Sequence, residues 1–374
     1  MATSQQKKPQ KKPKDNRLVL VAKLKLPTTP TQHQTLLVTL QRANEACDYI
    51  SQSAWDQRIF SRNELQKEVY TDVREFFGLS AQATVRCVKK VVDAYKLDRK
   101  TRRTFRCDGA IAYDSRLLSF SKKDQTVSIW TLEGRLRIPW VGGPRQMELM
   151  RYQEGECDLC LVDGSFYLLA SCKIKPEKPN TSEGVLGGDM GIENLLTDSD
   201  GEKYGTHVRK IRKKRQKTRQ SLQKCNSKSA KRKLKKRRRK ERRFREDVNH
   251  CIAKKLVWKA KRTNRAIALE DLKGIRSRVR ACRELRRELN SWAFYDLLLK
   301  VLYKAMLWGV PVYIVNPAYT SQTCSVCGHC ERANRKSQSE FSCRACGTQL
   351  HADLNAAINI AARGAVNLPN GVQL

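Results

Sequence analysis

The stretch Gly184-Val185-Leu186-Gly187-Gly188-Asp189-Met190-Gly191-Ile192-Glu193-Asn194-Leu195-Leu196-Thr197 decides the fold. Its apolar opening reads as a buried strand, glycines loosen the backbone on both sides of Asp189, and the apolar close reads as a second strand. Asp198-Ser199-Asp200-Gly201 then makes a turn. A carboxylate on an apolar strand loses its hydration and needs a partner. Two further acids stand in comparable places. Ala266-Ile267-Ala268-Leu269-Glu270 is a strand that ends on an acid, and Asp353 opens a helix from Ala352 to Arg363 for which Gly364 is the expected C-cap. In a basic chain, Lys or Arg could satisfy any one of these acids. Three acids in three such contexts favour convergence on hard divalent cations, Mg²⁺ or Mn²⁺. Two such ions about 3.5–4 Å apart can activate a water and stabilise the leaving oxygen of a phosphodiester.

Outward from these acids, the order strand, hairpin, helix, strand, helix, strand, helix is the layout of an RNase H-like α/β domain. A long basic helix is expected over roughly 206–245, continuing through a more apolar helix to Arg262. A second helix is expected at 284–308, with the stripe Leu285, Leu289, Trp292, Leu299, Leu302 and Met306, followed by the strand Val312-Tyr313-Ile314-Val315. Composition and spacing alone leave a metal-dependent nuclease and a set of structural ion pairs both open.

Four of the fourteen cysteines form two matched knuckles, Cys324-Ser-Val-Cys327-Gly328 and Cys343-Arg-Ala-Cys346-Gly347. Each tight turn brings two thiolates toward one metal, and the following glycine lets the backbone fold over the sulfurs, as a tetrahedral Zn²⁺ ribbon needs. Cys330 is followed by Glu331 rather than glycine and reads as spare. Cys157-Asp-Leu-Cys160, with Cys172 nearby, lies in alternating strand-like sequence and reads as thiols on strands. The scattered cysteines 47, 87, 107, 225, 251 and 282 read as small core residues.

The N-terminal half has a different grammar. Residues 1–16 form a basic arm with nothing to bury. Arg17 to Leu26 alternates as a strand, and residues 31–104 carry helical stripes (Leu36 and Leu37, Leu40, Ala43, Cys47 and Ile50, then Val85, Val88, Val91, Val92 and Tyr95, with Ser80 as N-cap). Residues 105–176 switch to short strands, among them 125–130, 134–139 and 166–170. The arrangement expected is a β-barrel module formed by 17–34 and 105–180, interrupted by a helical insertion.

Across 374 residues, 75 Lys and Arg face 37 Asp and Glu, a net charge of +38. With hydrophobic residues at 40%, a wholly disordered polycation is excluded, and the excess charge implies a polyanionic partner, nucleic acid foremost. No run of 18 apolar residues suggests a membrane span, and no signal peptide opens the chain, so the expected location is cytoplasmic, nucleoid-associated if the source is prokaryotic. The charge is unevenly placed: residues 209–245 hold 22 Lys and Arg against Glu241 alone, a net +21. Such density disfavours an isolated helix unless phosphates neutralise it. Arg209, Lys210, Arg212, Lys213 and Lys214 at its start are candidate nucleic-acid contacts. So are Lys231, Arg232, Lys235, Lys236, Arg237, Arg238 and Arg239 further on, with Arg276 and Arg280 at helical spacing beyond Glu270. His351 is expected to cap the helix that Asp353 opens, Asn355 to lie near the metals or to face solvent, and the six tryptophans to serve the core.

The segments Gly188–Asn194, Leu269–Ile275 and Leu350–Ala357 resemble the three RuvC motifs of the transposon-encoded TnpB (OrfB) family. Asn316-Pro317-Ala318-Tyr319-Thr320-Ser321-Gln322-Thr323-Cys324 resembles that family's approach to a zinc ribbon inserted before the third motif. The likeness runs from about residue 17 to 364 and is looser in the N-terminal half. It implies an RNA-guided DNA endonuclease related to compact type V CRISPR effectors, a monomer or dimer on its guide RNA, acting on double-stranded target DNA. By this resemblance Asp189, Glu270 and Asp353 would hold catalytic Mg²⁺, and Cys324, Cys327, Cys343 and Cys346 the zinc. The implied organisation is an α+β multidomain chain. It comprises the arm (1–16), a wedge-like β-barrel (17–34 and 105–180), a helical recognition domain (35–104), an RNase H-like RuvC domain (181–319 and 349–364), the inserted zinc ribbon (320–348) and a tail (365–374). Two other functions use the same fold: a non-cleaving nucleic-acid-binding regulator of a transposon, and a RuvC-type transposase or resolvase.

Overall fold

The computed structural model describes residues 16–271, 292–337 and 339–366, and the chain divides into two compact units between Lys175 and Pro176. In the first unit, β1 (Leu18–Leu26) leads into α1 (Pro30–Asp56), α2 (Arg62–Phe77) and α3 (Ala81–Leu97). Four short strands follow: β2 (Ile111–Tyr113), β3 (Leu118–Ser121), β4 (Thr126–Thr131) and β5 (Gly134–Pro139). Helix α4 (Pro144–Met150) precedes the long hairpin of β6 (Gln153–Val162) and β7 (Ser165–Ile174). Local chemistry explains the helix starts. Thr29 and Gln32 form a reciprocal capping box ahead of Pro30, and Ser80 accepts from the Ala83 amide. Of the expected stripe, Leu36, Leu40, Ala43, Cys47 and Ile50 are buried and Leu37 is partly buried against the core.

Two antiparallel sheets, ordered β1-β7-β6-β2 and β3-β4-β5, share one continuous core with these helices. A bridge between Lys25 and Val141 links β1 to the chain just past β5. Cys157, Cys160 and Cys172 sit on β6 and β7, as the alternating pattern required, and burial pushes the Cys157 thiol up to about 12. The scattered cysteines are less uniform than expected. Cys47 and Cys87 are buried, Cys107, Cys225 and Cys251 are exposed, and Cys282 lies outside the described residues.

The second unit opens with β8 (Gly184–Asp189), β9 (Leu196–Asp198) and β10 (Lys203–Tyr204). Helices α5 (Val208–Cys225) and α6 (Lys228–Arg262), strand β11 (Arg265–Glu270), helix α7 (Phe294–Leu307) and strand β12 (Val312–Val315) follow. The small hairpin strands β13 (Glu340–Ser342) and β14 (Gln349–His351) lead into α8 (Ala352–Ala365). The sheet order is β10-β9-β8-β11-β12, with β8, β11 and β12 mutually parallel, so the carboxyl ends of these three strands share one edge.

Three expectations need correction. The basic helix is two helices: Asn226 adopts a left-handed conformation (φ 45°) that ends α5, and the Ser227 hydroxyl caps α6 by accepting from the Ala230 amide. Asn followed by Ser carries that punctuation, and the charge run around it masked the signal. Of the helix expected at 284–308, Leu285 and Leu289 lie outside the described residues. Helix α7 starts at Phe294 and buries Leu297, Leu298, Val301 and Ala305, leaving Leu299 and Met306 about half exposed. The apolar sequence there supports more than one stripe, and packing against α6 selects the phase. Finally, Gly364 lies inside α8 rather than beyond its end. A Cβ there would stand 2.5 Å from the Ala268 Cβ, so this glycine lets helix and sheet touch.

Candidate active site and metal centre

Asp189 is the last residue of β8 and Glu270 the last of β11, and the parallel register pairs Gly188 with Leu269 just before them. The two acids therefore leave neighbouring strands side by side at the carboxyl edge, where open α/β sheets bind ligands. Asp353 arrives from a third direction, in the first turn of α8. That helix lies directly on β8 because Gly187 has no side chain; a Cβ at 187 would collide with the Ala357 carbonyl and stand 2.6 Å from the Ala361 amide nitrogen.

The charges of Glu270 and Asp353 both act on Asp189. Burial, then Glu270, then Asp353 hold its carboxyl well above the usual range, with Arg335 pulling the other way. Burial also raises Glu270, against the Thr320 hydroxyl, which donates to it at 2.5 Å, and against the charges of Arg363 and Arg335. Glu270 and Asp353 are nearly inaccessible, whereas Asp189 as a residue is partly exposed. Asn194 donates to Asp353 at 3.2 Å, and His351 caps α8 by accepting from the Asp353 amide, as its position suggested.

Asp198 provides the contrast. It is fully buried on the same sheet, yet it accepts from Tyr204, from Lys259 and from two backbone amides, so its charge is satisfied within the protein. The three edge acids have no comparable cationic partner among the described residues; Asp189 is raised by the two others, and hard oxygen donors of this kind fit a divalent cation. Their oxygens do not all lie within 4.8 Å of one another; the only such group among the described residues is made of cysteines.

That group is Cys324, Cys327, Cys343 and Cys346. The knuckles are near-copies: Gly328 and Gly347, both at positive φ, donate back to the Cys324 and Cys343 carbonyls at 3.0 Å. Sulfur pairs approach to 3.7 Å (Cys324 and Cys346) and 3.6 Å (Cys327 and Cys343), and the Thr348 hydroxyl beside Cys346 helps bring its thiol down to about 6. Four soft thiolates in this arrangement can hold Zn²⁺. Cys330 stands outside the set. Asn334, fully buried, ties the knuckles together by donating to Gln322 and His329 and accepting from Arg344.

Asn355 takes neither expected role. It faces the ribbon, accepting from the Ser325 amide and donating to the Thr323 carbonyl, while Asn359 donates to the carbonyls of Thr320 and Thr323. One helix thus carries Asp353 and clamps the ribbon's first loop. An Asn pair at i, i+4 on an otherwise apolar helix face was the available signal.

The basic segment folds back on itself as a hairpin around a cleft of about 720 Å³. Arg209, Arg212 and Lys213 of α5 line it, with Arg237 and Arg238 of α6. Lys210, Lys214, Lys231, Arg232, Lys235, Lys236 and Arg239 are exposed outside it, and Arg276 and Arg280 lie outside the described residues. Arg215 and Arg219 also line the cleft; the spacing 212, 215, 219 on one helix face could have identified them. Arg215 lies 4.1 Å over the Phe244 ring, and Arg219 pairs with Glu241 across the hairpin. Trp292 is buried, and its indole nitrogen donates to Asn249, whereas Trp258 is half exposed and departs from the expected core role. Arg209 also pairs with Glu193, in the loop that follows Asp189, and so joins the hairpin to the acid edge.

Two family profiles match the chain: "Probable transposase" over residues 170–274, containing Asp189 and Glu270, and "Cas12f1-like, TNB domain" over 294–360, containing the four cysteines and Asp353. The TnpB-like protein MJ0751 of Methanocaldococcus jannaschii is 31% identical over 199 residues, 50% of this chain and 71% of that protein. The chain belongs to the TnpB family. The CRISPR-associated endodeoxyribonuclease Cas12f1 of Sulfoacidibacillus thermotolerans is 46% identical to this TnpB-family chain over 95 residues, 25% of the chain and 21% of that enzyme. The match thus spans about a fifth of that relative's length. A cryo-EM structure of a Cas12f1–sgRNA–target DNA complex superposes with a TM-score of 0.58 at 14% identity, covering 88% of this chain and 83% of that one. The TnpB-family chain therefore has the mixed α/β fold of a compact Cas12 effector. No helix among the described residues is long and apolar enough to cross a membrane.

Proposed function

We propose that this chain is an RNA-guided DNA endonuclease, with the second unit as a RuvC-type nuclease and Asp189, Glu270 and Asp353 as its metal-holding acids. The observation that carries the reading is the meeting of three carboxylates from β8, β11 and α8 at one sheet edge, without the cationic partner that Asp198 has. When bound there, Mg²⁺ or Mn²⁺ would supply Lewis acidity at the scissile phosphodiester. The chain's own residues do the rest. Thr320 fixes the Glu270 carboxylate, Asn194 and the His351 cap fix Asp353, and partly exposed Asp189 faces the substrate. Arg335, whose charge acts on both Asp189 and Glu270, balances the negative cluster.

In this reading the four cysteines hold structural Zn²⁺ in a ribbon spanning 320–348. The two sheets of the first unit form the wedge-like module, with its helices as the recognition element. The α5–α6 hairpin grips the backbone of guide RNA or of its heteroduplex with target DNA, positioning it without reading sequence. Relatives named as endodeoxyribonucleases, and a neighbour solved with sgRNA and target DNA, support the same assignment.

The test is to purify the protein with RNA transcribed from its own locus, sequence the bound RNA, and challenge the particle with a randomised-flank DNA library in Mg²⁺. Guide-matched cleavage that disappears in Asp189→Ala is the expected result. A protein that binds no discrete RNA, or that joins strands without one, would instead be a regulator or a transposase.

A further inference from the structure

Tyr319 combines three properties not otherwise found together among the described residues of this unit. Its φ is +63°, in the left-handed region that a bulky non-glycine residue occupies at a cost, and its side chain is 65% exposed. Its immediate neighbour Thr320 is buried and donates to Glu270.

The backbone around it is held from every side. Arg363 donates to the carbonyls of Asn316 and Ala318, and the Asn316 side chain accepts from the Ala318 amide. The Tyr319 carbonyl accepts from the amides of Gln322 and Thr323 and from the Thr323 hydroxyl. A loop fastened at so many points has fixed its strain, and the strained residue carries a phenol side chain that is mostly exposed. Strain retained at a site whose surroundings over-determine it marks function more often than accident.

We infer that the Tyr319 ring is a stacking platform for a nucleobase of single-stranded DNA, one nucleotide or so from the phosphodiester at Glu270. This deepens the nuclease reading and rests on it. The chemistry follows from geometry. A phosphodiester held at the carboxylate edge carries bases on both sides, and an exposed aromatic ring on the residue before Thr320, which itself touches Glu270, offers one of them a π-face at little entropic cost. Such stacking tolerates any base, which suits a nuclease whose sequence choice is made elsewhere. Tyr95 and Tyr113, which serve the core, are by contrast buried.

The experiment uses the full chain with its bound RNA and a single-stranded oligodeoxynucleotide carrying 2-aminopurine at successive positions, whose emission falls on stacking. The expected result is quenching at one position that is lost in Tyr319→Ala and kept in Tyr319→Phe and Tyr319→Trp. The affinity loss in the alanine variant should be about 5- to 150-fold, and an abasic site at the sensitive position should erase the difference from the parent. Thermal melts of all variants separate stacking from misfolding. Quenching that is unchanged in Tyr319→Ala, or lost equally in Tyr319→Phe, overturns the inference. The two readings separate cleanly. A protein that cleaves guide-matched DNA without Tyr319-dependent quenching keeps the nuclease and loses the platform. Tyr319-dependent quenching that persists without cleavage keeps the platform and loses the nuclease.

Discussion

Replacing Gly187 by alanine tests how helix α8 brings Asp353 to the other acids. The added Cβ would stand 2.6 Å from the Ala361 amide nitrogen and 2.9 Å from the Ala361 Cβ, and closer still to the Ala357 carbonyl. Ordinary contact is about 3.5 Å, so α8 must retreat by roughly 1 Å. The colliding atoms belong largely to helix backbone, which cannot rotate away as a side-chain tip can. The destabilisation should therefore fall near the upper end of overpacking costs, about 3 kcal/mol. For a unit of this size that is roughly 6–12 °C in melting temperature. The same retreat displaces Asp353 from its register with Asp189 and Glu270, and a 1 Å misplacement of a reacting group costs on the order of 100-fold in rate. Gly184 on the same strand is the control, since its Cβ would meet only the Arg265 side chain at an ordinary 3.6 Å. Calorimetry and single-turnover cleavage of Gly187→Ala and Gly184→Ala supply both measurements. Equal melting temperatures for the two variants would refute the close packing of α8 on β8.

Three further outcomes are expected. Asp189→Asn should abolish Mg²⁺-dependent cleavage yet raise the melting temperature in chelator, because it removes a buried charge repelled by Glu270 and Asp353; the gain should shrink or reverse when Mg²⁺ is added. Cys343→Ser should abolish the bound zinc measured by elemental analysis and expose the segment around 320–351 to protease, because the ribbon's buried core is little more than Cys324, Phe341, Cys343 and Ala352. In the first unit, hydrogen bonding to Arg86 and then Lys89 holds Glu156 down to about 2. Its unfolded-state pKa is higher, so its stabilisation is complete above about 4.5 and is lost as pH falls from there toward 2. With the carboxylate 46% exposed, screening limits the effect to about 1 kcal/mol, and Glu156→Gln should flatten the acid limb of the melting curve by that amount.

The acid edge was legible in the sequence because carboxylates on apolar strands carry a cost that demands a reason, and Asp189 and Glu270 both sit where strands end. The cysteine knuckles were legible because their chemistry is local, set by two residues and a glycine. Where charge dominated, the reading failed. Apolar periodicity fixes helix phase and boundaries, and a run of Lys and Arg offers none, so the Asn226–Ser227 break went unnoticed. Gly364 looked like a cap because a glycine near a helix end usually is one; only the opposing Ala268 shows that it serves close approach. Asn355, Asn359 and Thr320 escaped for a different reason. Their partners are backbone carbonyls and a carboxylate tens of residues away, and pairings of that kind leave no trace in local spacing.

The cysteine-knuckle segment lies between β12 and α8, and that placement bears on how the acid site assembles. Before α8 can dock, the chain must close the 36-residue loop 316–351, which contains no sizeable apolar core, and loop closure carries an entropic cost whatever lies inside it. Four thiolates drawn onto one ion would cross-link that loop near its base, while Asn355 and Asn359 tether its first turn to the arriving helix. Such a cross-link would shorten the effective tether on which Asp353 searches for its partners. If zinc fills that site, its supply would set the rate at which newly made chains bring Asp353 into place.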